Sequence, residues 1–522
     1  MAAFVYPSLS IRTAPLYSSS HQHHNHNRGG RRRLFVSNSV SDSPTTTPDE
    51  NKSKLPIRSI PGGYGLPLLG AIKDRLDYFY FQGTDGFFNS RISEHKSTVF
   101  RANMPPGPPI ASDPKVVVLL DAASFPILFD VSKVEKKDVF TGTYMPSTDL
   151  TGGYRVLSYL DPSEPKHAQL KNLIFYILSS RRQFVIPEFR TTFGSMFESI
   201  DREIEDKGKA DFGGFNDKAS FVYVAKSLYG TDPADTSLKS DGPDLIVKWL
   251  LFQLSPILTL GLPFFLEDPL LHTFTLPGFL IKSDYQRLYD FFLEAAGNSG
   301  ALDEAERLGL SKEEACHNIL FSACFNTYGG MKIFFPAILK WVGSVGPQLH
   351  AKLAAEIRDA VRKNGGQVTM AGMENDMPLM KSVVYEAFRI EPPVPLQYAK
   401  AKEDIVIQSH DAAYQVKKGE MLFGYQPFAT KDGRVFKKPE TFLAERFLGE
   451  EGERLLKYVV WSNGSETDSP TTQNKQCAGK EFVVMMARLL LVEIFLRYDT
   501  FAVAVEGSSI QISSLTKRTD LP

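Results

Sequence analysis

Hydrophobic and polar residues recur along most of this chain at the three- and four-residue spacing of helices. Residues 190–204 and 349–362 carry apolar side chains at those intervals with polar or charged ones between, the pattern of helices that bury one face. Residues 481–498 differ. Only Glu481, Arg488, Glu493 and Arg497 interrupt that apolar run, which predicts a helix buried nearly all round. Strand signals are brief: the β-branched run 404–408 and the alternation 414–416. Residues 249–266 are very apolar, but Pro256, Gly261 and Pro263 break them, which argues against a continuous membrane span. Two readings of that segment stand: buried short helices and turns, or an oily substrate mouth that touches a membrane surface. The turn-rich stretch 61–70 marks the entry to the folded part, and no internal repeat is evident. The expected fold is mainly α with a small β-sheet component.

Composition narrows this picture. With 522 residues and 43% hydrophobic content the chain can bury a substantial core, and a net charge of −1 argues against a nucleic-acid partner. Three cysteines, Cys316, Cys324 and Cys477, make neither a disulfide framework nor a four-ligand zinc site by themselves. The first acidic residue is Asp42, preceded by Arg12, Arg28, Arg31, Arg32, Arg33, many serines and a histidine tract at 21–26. Acid-poor, Arg- and Ser-rich N-termini resemble organelle transit peptides. We read residues 1–50 as a disordered chloroplast transit peptide and 51–522 as one catalytic domain.

The candidate chemistry centres on Asn474-Lys475-Gln476-Cys477-Ala478-Gly479-Lys480, just before the buried C-terminal helix. A cysteine a few residues before a helix N-terminus feels the positive dipole end, which favours the thiolate. Gly479 lets the backbone approach something flat, and Lys475 adds a cation. Such a thiolate suits an axial ligand of haem iron; the alternative is a buried structural cysteine.

Further motifs carry a family resemblance. Glu386-Ala387-Phe388-Arg389 resembles the E-x-x-R of the cytochrome P-450 superfamily, and the segment Pro439-Glu440, Phe442, Glu445-Arg446-Phe447 resembles its downstream partner. By resemblance Glu386, Arg389 and Arg446 form a buried charge network, and the fold is the cytochrome P-450-like haem-thiolate fold. Trp461-Ser462-Asn463-Gly464 looks like the start of the family's cysteine loop, but a polar insertion, residues 465–473, separates it from Cys477. That lengthened loop is similar to the plant branch that metabolises fatty-acid hydroperoxides: allene oxide synthases, hydroperoxide lyases and divinyl ether synthases.

Monooxygenases of the superfamily resemble (A/G)-G-x-(D/E)-T above the haem. Here the best match is Gly329-Gly330-Met331-Lys332-Ile333, so the acid and alcohol of the proton relay are absent. A rival alignment, Ala323-Cys324-Phe325-Asn326-Thr327, keeps the Thr but makes the acid an amide. On an α-helix Asn326, Gly329, Gly330 and Ile333 share one face. By resemblance Asn326 points at the hydroperoxide, and Lys332 faces the pocket and holds the substrate by the substrate's carboxylate. Phe140 matches an aromatic position that favours allene oxide formation over chain cleavage, a ring face stabilising the developing radical or cation. His167 and Lys171, at i and i+4, are candidates to grip the haem propionates, with Lys136 and Lys475.

The resemblance is nearest to allene oxide synthases. It implies haem b (iron protoporphyrin IX), Cys477 as iron ligand, and homolytic cleavage of a polyunsaturated fatty-acid hydroperoxide without O2, NADPH or a reductase. The plastid-like N-terminus tilts the substrate toward 13-hydroperoxy-linolenate, in oxylipin synthesis, with peripheral membrane contact as a further expectation. The rivals are hydroperoxide lyase, an O2-dependent monooxygenase, and a non-catalytic haem or lipid binder.

Overall fold

The computed structural model describes residues 55–519; the segment 1–50 read as a transit peptide lies outside them. The expected all-round burial of the C-terminal helix holds for Lys480–Arg497, which packs against the helices Arg182–Lys207, Gly329–Val345, Pro347–Lys363 and Pro378–Ile390. Leu490, Leu491 and Phe495 are fully buried, each stabilising the fold by about 1.5–3 kcal/mol. Even the charged interruptions Arg488 and Glu493 lie inside, because each has a partner. Arg488 pairs with Glu374 and donates to Tyr385 Oη at 3.3 Å, and Glu493 accepts from Arg497 Nε at 2.6 Å. The two amphipathic patterns fall within Arg182–Lys207 and Pro347–Lys363.

The brief strand signals become Ile405–Gln408 and Ala413–Val416, which with Ile57–Arg58 form a three-stranded sheet. A five-stranded sheet lies beside it in the order Val99–Asn103, Lys115–Leu119, Met421–Tyr425, Leu396–Ala401, Val134–Glu135. The strand Leu396–Ala401 comes soon after the helix Pro378–Ile390, so that helix and sheet are joined near the site.

That junction is braced by Glu386. Arg389 forks onto its carboxylate at 2.7 and 2.9 Å, and Arg446 Nε reaches both oxygens at 2.9 and 3.0 Å. Glu386 and Arg389 are fully buried. Buried charges persist only when their remaining polar atoms are satisfied. Here Arg389 also donates to Pro439 O and Thr430 O, and Arg446 to Lys437 O, so the network ties the helix to the segment expected from sequence.

Two expectations need revision. Phe321–Tyr328 is a π-helical stretch between Lys312–Leu320 and Gly329–Val345. Thr327 Oγ1 donates to Ser322 O, five residues back, at 3.1 Å, in keeping with the wider winding. Asn326 therefore does not share a face with Gly329, Gly330 and Ile333 by simple 3.6-residue spacing. The apolar stretch 249–266 resolves into the end of Gly242–Leu254, a 3-10 turn Ser255–Ile257 and a single turn Phe264–Glu267. Its first half is buried, as the reading of buried short helices and turns expects, whereas Phe264, Phe265 and Leu266 are exposed.

Candidate active site

The cysteine loop is built from a hairpin and a helix start. Val460–Trp461 pairs with Gly464–Ser465 through a tight turn at Ser462-Asn463. The Cys477 N–H donates to Ser462 O at 3.1 Å, and Cys477 O accepts from Lys480 N at 3.2 Å, where the core helix begins. Cys477 is thus held between the turn and the N-terminus of the helix Lys480–Arg497. Cys316 and Cys324 are buried elsewhere, and burial pushes both thiols up, Cys316 to about 12.

Beside this loop lies a pocket lined by Lys136, Phe140, His167, Lys171, Tyr398, Ser462, Lys475 and Gln476, among others. Five residues singled out by sequence (Lys136, Phe140, His167, Lys171 and Lys475) therefore share one wall. The ammonium groups rest on backbone carbonyls: Lys136 on Tyr398 O at 2.7 Å, Lys171 on Asn474 O at 2.7 Å, Lys475 on Leu157 O at 2.7 Å and on Leu160 O. No carboxylate forms an ion pair with any of the three among the described residues. Burial depresses each of them, Lys171 to about 8 and Lys475, also repelled by Lys171, to about 7. Lys136 is driven well below its ordinary value by burial and by Lys475. His167 is lowered to about 3 by burial and by Lys475 and Lys171, and its Nδ1 is buried with no partner.

Burial without an anion pushes these basic groups toward their neutral forms, and an arriving anion would return them to charge. The wall is complementary to a group bearing two carboxylates. Two glycines have open space where a side chain would go. A Cβ on buried Gly330 would meet nothing within 4 Å, and one on Gly479 would stand 3.9 Å from Cys477 Sγ, an ordinary contact. The protein itself does not demand glycine at either position. A thiol, four basic side chains and two open glycines together fit a haem: Cys477 would ligate the iron, and Lys136, His167, Lys171 and Lys475 would hold the propionates.

Above the wall, Phe140 packs its ring against Phe325 at 5.3 Å, Tyr159 at 5.6 Å and Phe321 at 5.9 Å. Asn326 comes directly after Phe325 in the π-helical stretch and is half-buried, so it comes near the site through Phe140 and Phe325 rather than by touching the cationic wall. Lys332 does not join the site. Its ammonium pairs with Asp217 of the helix Phe212–Val224, which corrects the expectation that it grips the substrate carboxylate: that charge is already neutralised. A second, apolar cavity shares Phe140, Leu396 and Tyr398 with the first and extends to Tyr78, Phe79, Met104 and Ile257.

Tyr398 belongs to both cavities, and sequence reasoning missed it. The strand that carries it is 262 residues from Lys136, and no local pattern links the two. Only Gly142 left a trace. Its φ is +84°, and a Cβ there would clash with the Tyr398 ring at 2.3 Å.

Comparison with known proteins agrees with this geometry. Residues 345–516 match the family model described as Cytochrome P450. The chain is 61% identical to "Allene oxide synthase 1, chloroplastic" of Solanum lycopersicum, over 92% of this chain and 90% of that protein. It is 58% identical to "Allene oxide synthase, chloroplastic" of Arabidopsis thaliana, over 93% and 94% respectively. It is 59% identical to "Allene oxide synthase 1, chloroplastic" of Oryza sativa subsp. japonica, over 94% and 96%. With the E-x-x-R network, the cysteine loop and the cationic wall in place, these likenesses assign the chain to the allene oxide synthase branch of the cytochrome P450 family of haem-iron enzymes.

Proposed function

We propose that the chain is a chloroplast hydroperoxide dehydratase that converts a polyunsaturated fatty-acid hydroperoxide, 13-hydroperoxy-linolenate, to its allene oxide, using haem b and neither O2, NADPH nor a reductase. The observation that carries this reading is the cluster of basic residues without an anionic partner beside Cys477, in a chain whose best match to the monooxygenase relay has Lys332 and Ile333 in place of acid and alcohol. A substrate that already contains an O–O bond needs no relay to protonate dioxygen.

When bound, haem supplies the iron at which the O–O bond is split. Lys136, His167, Lys171 and Lys475 hold its carboxylates, and Cys477 holds the iron. Asn326 orients the hydroperoxide through its amide, which can both donate and accept. Phe140 turns its ring toward the carbon that becomes electron-deficient, and stabilises it there. The apolar cavity toward Tyr78, Phe79 and Ile257 takes hydrocarbon chain and keeps water out, so that the epoxide closes before hydrolysis competes. Loss of one water balances the reaction.

Exposed apolar side chains lie near that cavity: Phe81 meets Phe264 at 5.6 Å, with Phe265, Phe279 and Leu280 also exposed. This surface supports peripheral contact with a plastid membrane, from which an apolar substrate enters. Among the described residues no helix is long and apolar enough to cross one.

Replacing Asn326 tests the role of the distal amide. In the haem-loaded chain, Asn326→Gln displaces the amide by one methylene, and hydroperoxide decay is expected to slow about a hundredfold. An unchanged rate would remove Asn326 from the mechanism.

A further inference from the structure

The insertion at residues 465–473 is a folded brace, and its centre is Glu466. The Glu466 N–H donates to Val459 O at 2.8 Å, which turns the side chain inward. Its carboxylate, largely buried, accepts from Tyr385 Oη at 2.8 Å on one oxygen and from Trp461 Nε1 on the other. Tyr385 stands on the helix that carries Glu386 and Arg389, and Trp461 begins the hairpin whose turn receives the Cys477 N–H. The third arm is Lys480, the first residue of the core helix. Its buried ammonium donates to Glu466 O at 2.5 Å and Asp468 O at 2.6 Å, with the Glu466 carboxylate 3.8 Å away.

One side chain thus joins the three elements that fix the cysteine: the hairpin before it, the helix after it and the charge-network helix beneath. The rest of the insertion closes on the same point. Gln476 Nε2 donates to Ser465 O at 2.7 Å, and Asn474 Nδ2 to Ser469 O at 2.8 Å. We propose that Glu466 is a positioning residue for Cys477, holding the sulfur at the distance and angle that keep it a thiolate ligand. The hub also explains the indole at Trp461, whose N–H needs an acceptor once it is buried. A carboxylate that accepts from two buried donors, with the Lys480 ammonium 3.8 Å away, fixes direction more tightly than apolar packing does, since the Trp461 N–H left alone would be unsatisfied.

This inference rests on the haem-thiolate reading, and the test separates the two. The full haem-loaded chain is reduced under carbon monoxide, and its Soret band is compared with those of Glu466→Ala, Glu466→Gln and Gln473→Ala. A thiolate ligand gives the long-wavelength band and a neutral ligand the shorter one. For Glu466→Ala we expect roughly a tenfold rise in the fraction of haem at the shorter wavelength. Glu466→Gln, which keeps an acceptor, should restore part of the long-wavelength band. Gln473→Ala, an exposed change in the same insertion, should leave it intact. If Glu466→Ala does not fold, the Glu466→Gln spectrum carries the test. An undiminished band in both Glu466→Ala and Glu466→Gln overturns the positioning role alone; its absence from the unsubstituted protein overturns the thiolate reading and this proposal with it.

Discussion

In the function we propose, Phe140 is the residue that decides the fate of the product. Its ring closes an aromatic cluster with Tyr159, Phe321 and Phe325 and lines both cavities, so one face is packed and the rest borders the reaction space. Phe140→Leu keeps the apolar volume but removes the π face that stabilises an electron-deficient carbon, a loss of about 0.5–2 kcal/mol. The expected outcome is a shift of product toward chain-cleavage aldehydes, read by chromatography, and an unchanged product spectrum would refute the role. At this scale sequence reasoning succeeded where a motif placed a residue type in a fixed setting: Lys136, His167, Lys171 and Lys475 all reach one wall. It failed where the partner is distant along the chain. Resemblance put Lys332 in the pocket, but nothing local announces Asp217, which pairs with it. Glu466 left no signal either, since a single acid in a polar insertion reads as solvated.

Among the elements, the helix Pro378–Ile390 does most to locate the site. Glu386 anchors it to two guanidinium groups, and the next strand, Leu396–Ala401, supplies Leu396 and Tyr398 to the cavities. Glu386→Gln leaves Arg389 and Arg446 buried without a full counter-charge, so we expect a loss of about 3–5 kcal/mol, read as a lowered midpoint in thermal unfolding. A loss below about 1 kcal/mol would mean that the backbone carbonyls suffice for both guanidinium groups. This network was legible in the sequence because E-x-x-R and the downstream arginine are contiguous motifs. The buried helix Lys480–Arg497 was legible because its composition leaves no polar face. The π-helical stretch Phe321–Tyr328 was not, because one extra residue per turn leaves the apolar content unchanged while rotating the helix Gly329–Val345 beyond it.

Across the whole molecule, the sheet region is clasped by a carboxylate cluster remote in sequence from the cysteine loop. Asp121, His410 and Asp432 are the one group of three metal-ligand side chains found together among the described residues. Both acids are already occupied by protein donors. Asp121 accepts from Thr98 Oγ1 at 2.5 Å and Ser409 Oγ at 2.8 Å, and Asp432 from Ala122 N at 2.9 Å and His410 Nε2 at 2.6 Å. Burial alone would raise the Asp432 carboxyl, but these donors outweigh it and hold the group below the ordinary carboxylate range. The unfolded chain therefore takes up the proton first on acidification. Asp432 stabilises the fold fully above its unfolded pKa, roughly 4, and that contribution vanishes as pH falls through the lower folded value. Asp432→Asn should cost about 1–3 kcal/mol at neutral pH, and its unfolding midpoint should converge on that of the unsubstituted protein in acid. A gap that stays constant with pH would contradict the clasp.

On the same scale, cationic wall, apolar arm and cysteine loop combine to serve a dehydration and not an oxygenation. The decisive experiment supplies 13-hydroperoxy-linolenate to the haem-loaded chain under anaerobic conditions, with no reductant, and identifies the products. Full turnover to the allene oxide, recovered as its hydrolysis product, is expected. Turnover that requires both O2 and an electron donor would contradict a dehydration.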